Sequence, residues 1–127
     1  MRVSPTGSLG DVTPLADLQE EVAPEEVAAL HARGEINLVD VREPYEHEAG
    51  RIAGARHVAF AKLTQEAGSL DRELPTVFYC RSGGRSAVAT QAFRASGFQA
   101  LNMTGGLLAW AAQGLPLEPD DGSVADH

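Results

Sequence analysis

The sequence predicts one α/β domain in which helices wrap both sides of a parallel sheet. Three observations carry that expectation. The chain has 127 residues, which leaves little room for a second domain. Short β-branched runs alternate with helical patterns along it. The run at residues 36–41, Ile-Asn-Leu-Val-Asp-Val, is mostly apolar, as a strand buried on both faces must be.

In chain order, residues 1–17 mix Ser, Thr, Pro and Gly without a period and are expected to be poorly ordered or loosely attached. Ala23-Pro24-Glu25-Glu26 opens a helix, because Pro at the first position already has a helical φ and two acids face the positive end of the dipole. Val27, Leu30 and His31 recur at helical spacing, and Gly34 stops the helix. A strand at 36–41 comes next, then a short helix from Pro44 to Gly50, a weak strand at 56–58 and a short helix with a loop at 60–68. Residues 76–80 read as a strand. Residues 86–96 read as a helix with Val88, Ala89, Ala92 and Phe93 inward and Gly97 as its stop. The last strand is 98–103, and a closing helix at 107–113 ends before Gly114 and Pro116. Residues 118–127 are polar and acidic and are expected to be a loose tail, which bounds the domain at 18–117. No repeat with a period of 20 to 50 residues is present.

Composition narrows the function. Hydrophobic residues make up 43% and charged residues 22%, which suits a soluble globular chain. Such a chain buries roughly two thirds of its unfolded surface, enough for one core. No apolar run approaches the roughly 20 residues that span a bilayer, and the N-terminus lacks the apolar stretch of a secretory signal. Ten Lys/Arg against eighteen Asp/Glu give a net charge of −8, so neither nucleic acid nor an anionic membrane is expected as a partner. The one cysteine, Cys80, cannot form an internal disulfide, which suits a reducing, cytoplasmic setting.

The informative segment is Tyr79-Cys80-Arg81-Ser82-Gly83-Gly84-Arg85-Ser86. It places a cysteine at the carboxyl end of a parallel strand, where open α/β sheets bind ligands. Two glycines allow a tight loop with inward amides, and a helix starts at once, aiming its positive end at the same spot. Arg81 and Arg85 add positive charge. Each feature favours a thiolate, and the same cradle would hold a small tetrahedral anion over the sulfur. A lone cysteine at a strand end is commonly just a small buried hydrophobe, and Gly-Gly before a helix is a common turn. Their conjunction with two arginines and a helix start favours a nucleophile in an anion hole.

The sequence resembles the single-domain rhodaneses of the rhodanese-like sulfurtransferase family. Three matches carry the resemblance. Asp40-Val41-Arg42-Glu43, with Tyr45-Glu46-His47 and Gly50-Arg51-Ile52-Ala53-Gly54-Ala55, is similar to the family's D-x-R…G-H-I-x-G-A signature, with Arg51 where the family more often has His. The loop at 80–86, C-R-S-G-G-R-S, is the second. Gly105-Gly106-Leu107-Leu108-Ala109-Trp110 is the third, similar to a closing G-G-x-x-x-W. The resemblance implies a three-layer domain with a five-stranded, mainly parallel sheet flanked by helices.

It also implies a sulfurtransferase of the thiosulfate type, with Cys80 carrying a persulfide and Arg81, Ser82, Gly83, Gly84, Arg85 and Ser86 binding the donor. Four residues separate Cys80 from Arg85, C-x4-R, whereas cysteine phosphatases resemble C-x5-R; the position with five residues between it and Cys80 is Ser86, not arginine. The shorter loop favours sulfur transfer over a phosphatase or arsenate reductase. A non-catalytic rhodanese-like binding module is the other alternative, and an intact Cys80 argues against it. The expected partners are a small anionic sulfur donor and a thiol acceptor, with glutathione persulfide, a cysteine desulfurase, thioredoxin and a sulfur-carrier protein all open. No cofactor is expected. Asp40 and Arg42 read as a structural ion pair, with action on the site through Arg85 as the sharper alternative. His31, His47, His57 and His127 lack ligand spacing, read as helix-end, surface or tail residues, and predict no metal. Trp110 reads as a core anchor. Asn102-Met103-Thr104 matches a glycosylation sequon by letters alone.

Overall fold

The parallel sheet centres on three strands that are largely buried on both faces. A computed structural model describes residues 20–126, so the expectation of a loose tail at 1–17 lies outside the described residues. Its elements are β1 (Glu21–Val22), α1 (Pro24–Ala32), β2 (Asn37–Asp40), α2 (Pro44–Ala49), β3 (Arg56–His57), α3 (Leu63–Glu66), β4 (Thr76–Tyr79), α4 (Gly84–Ala95), β5 (Ala100–Met103) and α5 (Gly106–Ala112). Three-residue 3₁₀ turns at Phe60–Lys62 and Ala67–Ser69 flank α3. The strands lie in the order β1-β5-β4-β2-β3, and every ladder is parallel.

Alternate side chains along each strand leave on opposite faces and build two cores. On one face Leu38, Val77, Tyr79, Leu101 and Met103 pack against Val27, Ile52, Leu107 and Trp110. On the other, Val39, Val41, Phe78, Cys80 and Ala100 pack against Leu63, Ala89, Phe93 and Phe98. Helices α1 and α5 therefore cover one face and α3 and α4 the other, which is the expected three-layer arrangement. Because the strands run the same way, their carboxyl ends meet at one edge; Asp40 stands opposite Tyr79 there. The turns after β2, β4 and β5 all open on that edge. Among the described residues no helix is long and apolar enough to cross a membrane.

Several local expectations shift. The fifth strand, β1, is a two-residue edge pairing Glu21 with Asn102 and Val22 with Met103, too short to leave a period in the sequence. Helix α4 begins at Gly84 rather than residue 86. Its inward stripe is Ser86, Ala89, Thr90 and Phe93, the i, i+3, i+4, i+7 set, while Val88 is 58% exposed and Ala92 also faces out. Trp110 is buried and donates Nε1–H to the Pro116 carbonyl at 2.8 Å, anchoring α5 as expected.

Residues 118–126 are tied back onto the domain. The Arg51 N–H donates to the Glu118 carbonyl at 3.0 Å and the Glu118 N–H returns to the Arg51 carbonyl at 2.7 Å. The Ser123 N–H donates to the Ala49 carbonyl at 2.8 Å, and Val124 packs on the first core. Side-chain polarity predicted a tail; backbone donors and acceptors, which composition does not register, hold it down.

Candidate active site

Strand β4 delivers Cys80 to the carboxyl edge, and the start of α5 shapes the loop beyond it. The first N–H groups of a helix have no partner within it. In α5, Leu107 donates its N–H to the Cys80 carbonyl at 2.9 Å and Leu108 to the Arg81 carbonyl at 3.0 Å. A trans peptide points its N–H opposite to its C=O, so the N–H groups of Arg81 and Ser82 turn to the inside of the loop. This approach is possible because residue 106 is glycine: a Cβ there would lie 2.6 Å from both loop carbonyl oxygens, and φ is +62°. Gly83, at φ +111°, then turns the chain into α4. The Asn102 side-chain amide donates to the Gly83 carbonyl at 3.3 Å and pins the loop to β5.

The sulfur sits inside this turn. Gly83 N–H points at Cys80 Sγ from 3.1 Å, Ser86 N–H from 3.5 Å, and the Ser86 hydroxyl from 3.3 Å. Cys80 is 1% exposed. Burial pushes its pKa up, but the Ser86 hydroxyl and the N–H groups of Ser86, Gly83 and Ser82 outweigh it and hold the thiol below its ordinary value. Ser82 and Gly84 stand at the exposed rim of the loop. The donors that favour the thiolate are thus a hydroxyl and peptides.

The two arginines expected to draw in an anion already hold acids. Arg85 forks onto Glu46, with Nη1 to Oε1 at 2.8 Å and Nη2 to Oε2 at 3.0 Å. Arg81 Nε donates to the Ala125 carbonyl and Nη2 to the Asp126 carboxylate, each at 3.1 Å. Glu46 is fully buried, and its Oε1 also accepts the Glu43 N–H at 2.9 Å, closing the cap of α2. Burial raises its pKa, while Arg85 and the Glu43 N–H lower it by more, so the carboxylate stays ionised. Arg85 also feels the Cys80 charge, which favours its protonated form. Glu46 was not singled out from the sequence; the Glu43-x-x-Glu46 cap with Pro44 between was the available signal.

Beneath the loop lies a buried polar cluster. Asp40 accepts from Arg42 Nε at 2.8 Å, Arg42 Nη2 at 2.7 Å and the Arg42 backbone N–H at 3.0 Å. It also meets His47 Nδ1 at 2.8 Å and accepts the Tyr79 hydroxyl at 3.2 Å. Burial raises the Asp40 pKa; Arg42 first and His47 after it bring it below the ordinary carboxylate value. Arg42 Nη2 reaches on to the Gly50 carbonyl at 2.7 Å, so this pair fixes the backbone at both ends of α2. Its line to Arg85 runs through the Glu46 charge. His47 and His57 are half-buried rather than on the surface; their rings stack with centroids 4.4 Å apart, and His57 Nε2 meets the Arg42 carbonyl at 2.7 Å. His31 Nε2 meets the Ala53 carbonyl at 2.8 Å. His127 lies outside the described residues. Asn102 is a buried β5 residue. Among the described residues no three His, Cys, Asp or Glu side chains gather as a metal site.

The arrangement can stabilise one extra anionic atom on the sulfur of Cys80, and known proteins share its frame. A family model described as the rhodanese-like domain matches residues 23–113. The chain is 34% identical over 87 residues to the putative sulfurtransferase YtwF of Bacillus subtilis, covering 68% of this chain and 84% of that one. It is also 34% identical over 89 residues to a sulfurtransferase of Allochromatium vinosum, covering 69% and 83%. Not every relative is matched so fully: the chain spans 54% of the Synechocystis protein slr1261. A solved thiosulfate sulfurtransferase from Pseudomonas aeruginosa superposes with a TM-score of 0.72 at 28% identity, over 80% of this chain and 20% of that one. Since the family match runs from the first helix through the cysteine loop to the last, the chain belongs to the rhodanese-like domain family.

Proposed function

We propose that this protein moves sulfane sulfur from thiosulfate, or a related persulfide donor, to a thiol or cyanide acceptor. The observation that carries the reading is the ring of donors on Cys80 Sγ: Gly83 N–H, Ser86 N–H and the Ser86 hydroxyl. In the first half-reaction the thiolate attacks the outer sulfur of thiosulfate. A new S–S bond forms to Cys80, the old S–S bond breaks, and sulfite leaves with its electron pair. The ring that held the thiolate then holds the terminal persulfide sulfur, as an oxyanion hole holds an oxyanion. In the second, an acceptor thiolate or cyanide attacks that outer sulfur and Cys80 leaves as the thiolate, so ping-pong kinetics are expected. Proteins of the thioredoxin or sulfur-carrier kind suit the acceptor role. A sole cysteine suits a reducing compartment such as the cytoplasm.

Intact-protein mass spectrometry after thiosulfate tests the reading. The wild type gains one sulfur that reductant removes, and Cys80→Ala shows neither the gain nor thiosulfate:cyanide turnover. A wild type that takes up no sulfur overturns it. A chromogenic phosphate ester should pass through unchanged; its hydrolysis would favour phosphatase chemistry instead.

A further inference from the structure

Residues 118–126 run back along the loop edge as a strap. Its near end is locked by the paired backbone bonds between Arg51 and Glu118. Its middle presses on the end of α2: a Cβ on Gly122 would lie 2.9 Å from the Pro119 carbonyl oxygen and 3.0 Å from that of Ala49. Its far end lands on the cysteine loop, where Arg81 takes the Ala125 carbonyl and the Asp126 carboxylate. The Tyr45 hydroxyl donates to the Asp126 carbonyl at 3.3 Å. The two ends differ in strength. Backbone pairing holds the near end, whereas the Asp126 side chain is 96% exposed, and an exposed ion pair is weak and screened by salt.

We propose that this strap is a built-in competitor of the anionic sulfur donor, with Asp126 and the Ala125 carbonyl occupying the Arg81 guanidinium that thiosulfate would otherwise meet. Donor binding and strap contact then exclude each other at Arg81. The weak tip lets go while the near end stays tied, so the competitor is always at hand. The donor's identity rests on the sulfur-transfer reading above; the competition for Arg81 rests on the strap's own contacts.

The experiment compares wild type, Asp126→Ala and Gly122→Val, each alone and in an Arg81→Gln background. Persulfide formation is measured against thiosulfate concentration. Either strap variant is expected to lower the half-saturating thiosulfate concentration about two- to fivefold, with the saturating rate unchanged and the gain fading at high salt. In the Arg81→Gln background the strap variants should change nothing, as a double-mutant cycle requires of two groups acting on one another. The proposal is overturned if both strap variants match wild type on thiosulfate, or if the Asp126→Ala gain survives Arg81→Gln. Should no variant take up sulfur, the sulfur-transfer reading fails by itself. Alkylation of Cys80 by anionic iodoacetate relative to neutral iodoacetamide then decides the strap: a two- to fivefold rise of that ratio in Asp126→Ala supports it, and an unchanged ratio overturns it.

Discussion

Glu46 and Arg85 stand 39 residues apart in sequence and meet as a two-pronged ion pair at 2.8 and 3.0 Å. One partner belongs to the cap of α2 and the other to the first turn of α4. The pair therefore ties the segment after β2 to the cysteine loop after β4, across the edge where their strands end. It also gives the C-x4-R arginine the protein's own carboxylate as its hydrogen-bonded partner, so the groups that touch the sulfur are uncharged donors.

Removing the acid should be felt in stability. Glu46→Gln leaves a partly buried guanidinium without its counter-charge and is expected to cost about 1–3 kcal/mol in urea unfolding. Glu48→Gln, on the exposed side of the same helix, should stay within about 0.5 kcal/mol of wild type. Equal midpoints for the two variants would contradict the structural weight given to Glu46.

The thiolate should depend on Ser86. Its hydroxyl is the foremost of the groups that lower the Cys80 pKa, so Ser86→Ala raises that pKa and leaves less thiolate near neutral pH. Alkylation by iodoacetamide should slow about tenfold there, the loss of one hydrogen bond to a charged atom. The two rates should converge above the ordinary thiol range of roughly 8.5. A pH profile identical to wild type would assign the lowered pKa to the peptides alone.

Acid should unfold the protein through Asp40 and Glu46. Both carboxyls have folded pKa values below their ordinary ones. Their contribution to stability is therefore complete above the unfolded values of roughly 4 and is lost as pH falls through the folded values. The urea midpoint should drop on acidification below about pH 4. Asp40→Asn, which strands the buried Arg42 charge, should be about 3–5 kcal/mol less stable at neutral pH and show a shallower acid slope.

What was legible in the sequence is what is contiguous. The strand end at Tyr79, the Cys80–Ser86 motif and the helix behind it occupy one stretch, so composition and spacing convey the turn. The apolar runs of β2, β4 and β5 were equally plain, because a strand buried on both faces writes itself as an unbroken run. The partners that complete the loop were not. Glu46 reaches Arg85 and Asp126 reaches Arg81 only through the fold, and both arginines read as free cations until their acids are placed. The stacked His47 and His57 come from separate elements. Strand β1 is two residues long and borrows its geometry from β5. Val88 looked inward because it is apolar; the α4 stripe is set by its neighbours at 86, 89, 90 and 93.

The dependence of the cysteine turn on Leu107 and Leu108 has a consequence for the chain during its synthesis. The two carbonyls that orient the turn are capped by amides made after Cys80, Arg81 and every residue of α4. The donors that face the sulfur all lie within residues 82–86, yet the orientation of the peptides between them is completed only when Leu107 and Leu108 are in place. A chain that stops short of Gly106 lacks both caps, so the last helix of the domain is also the last piece of its cysteine turn.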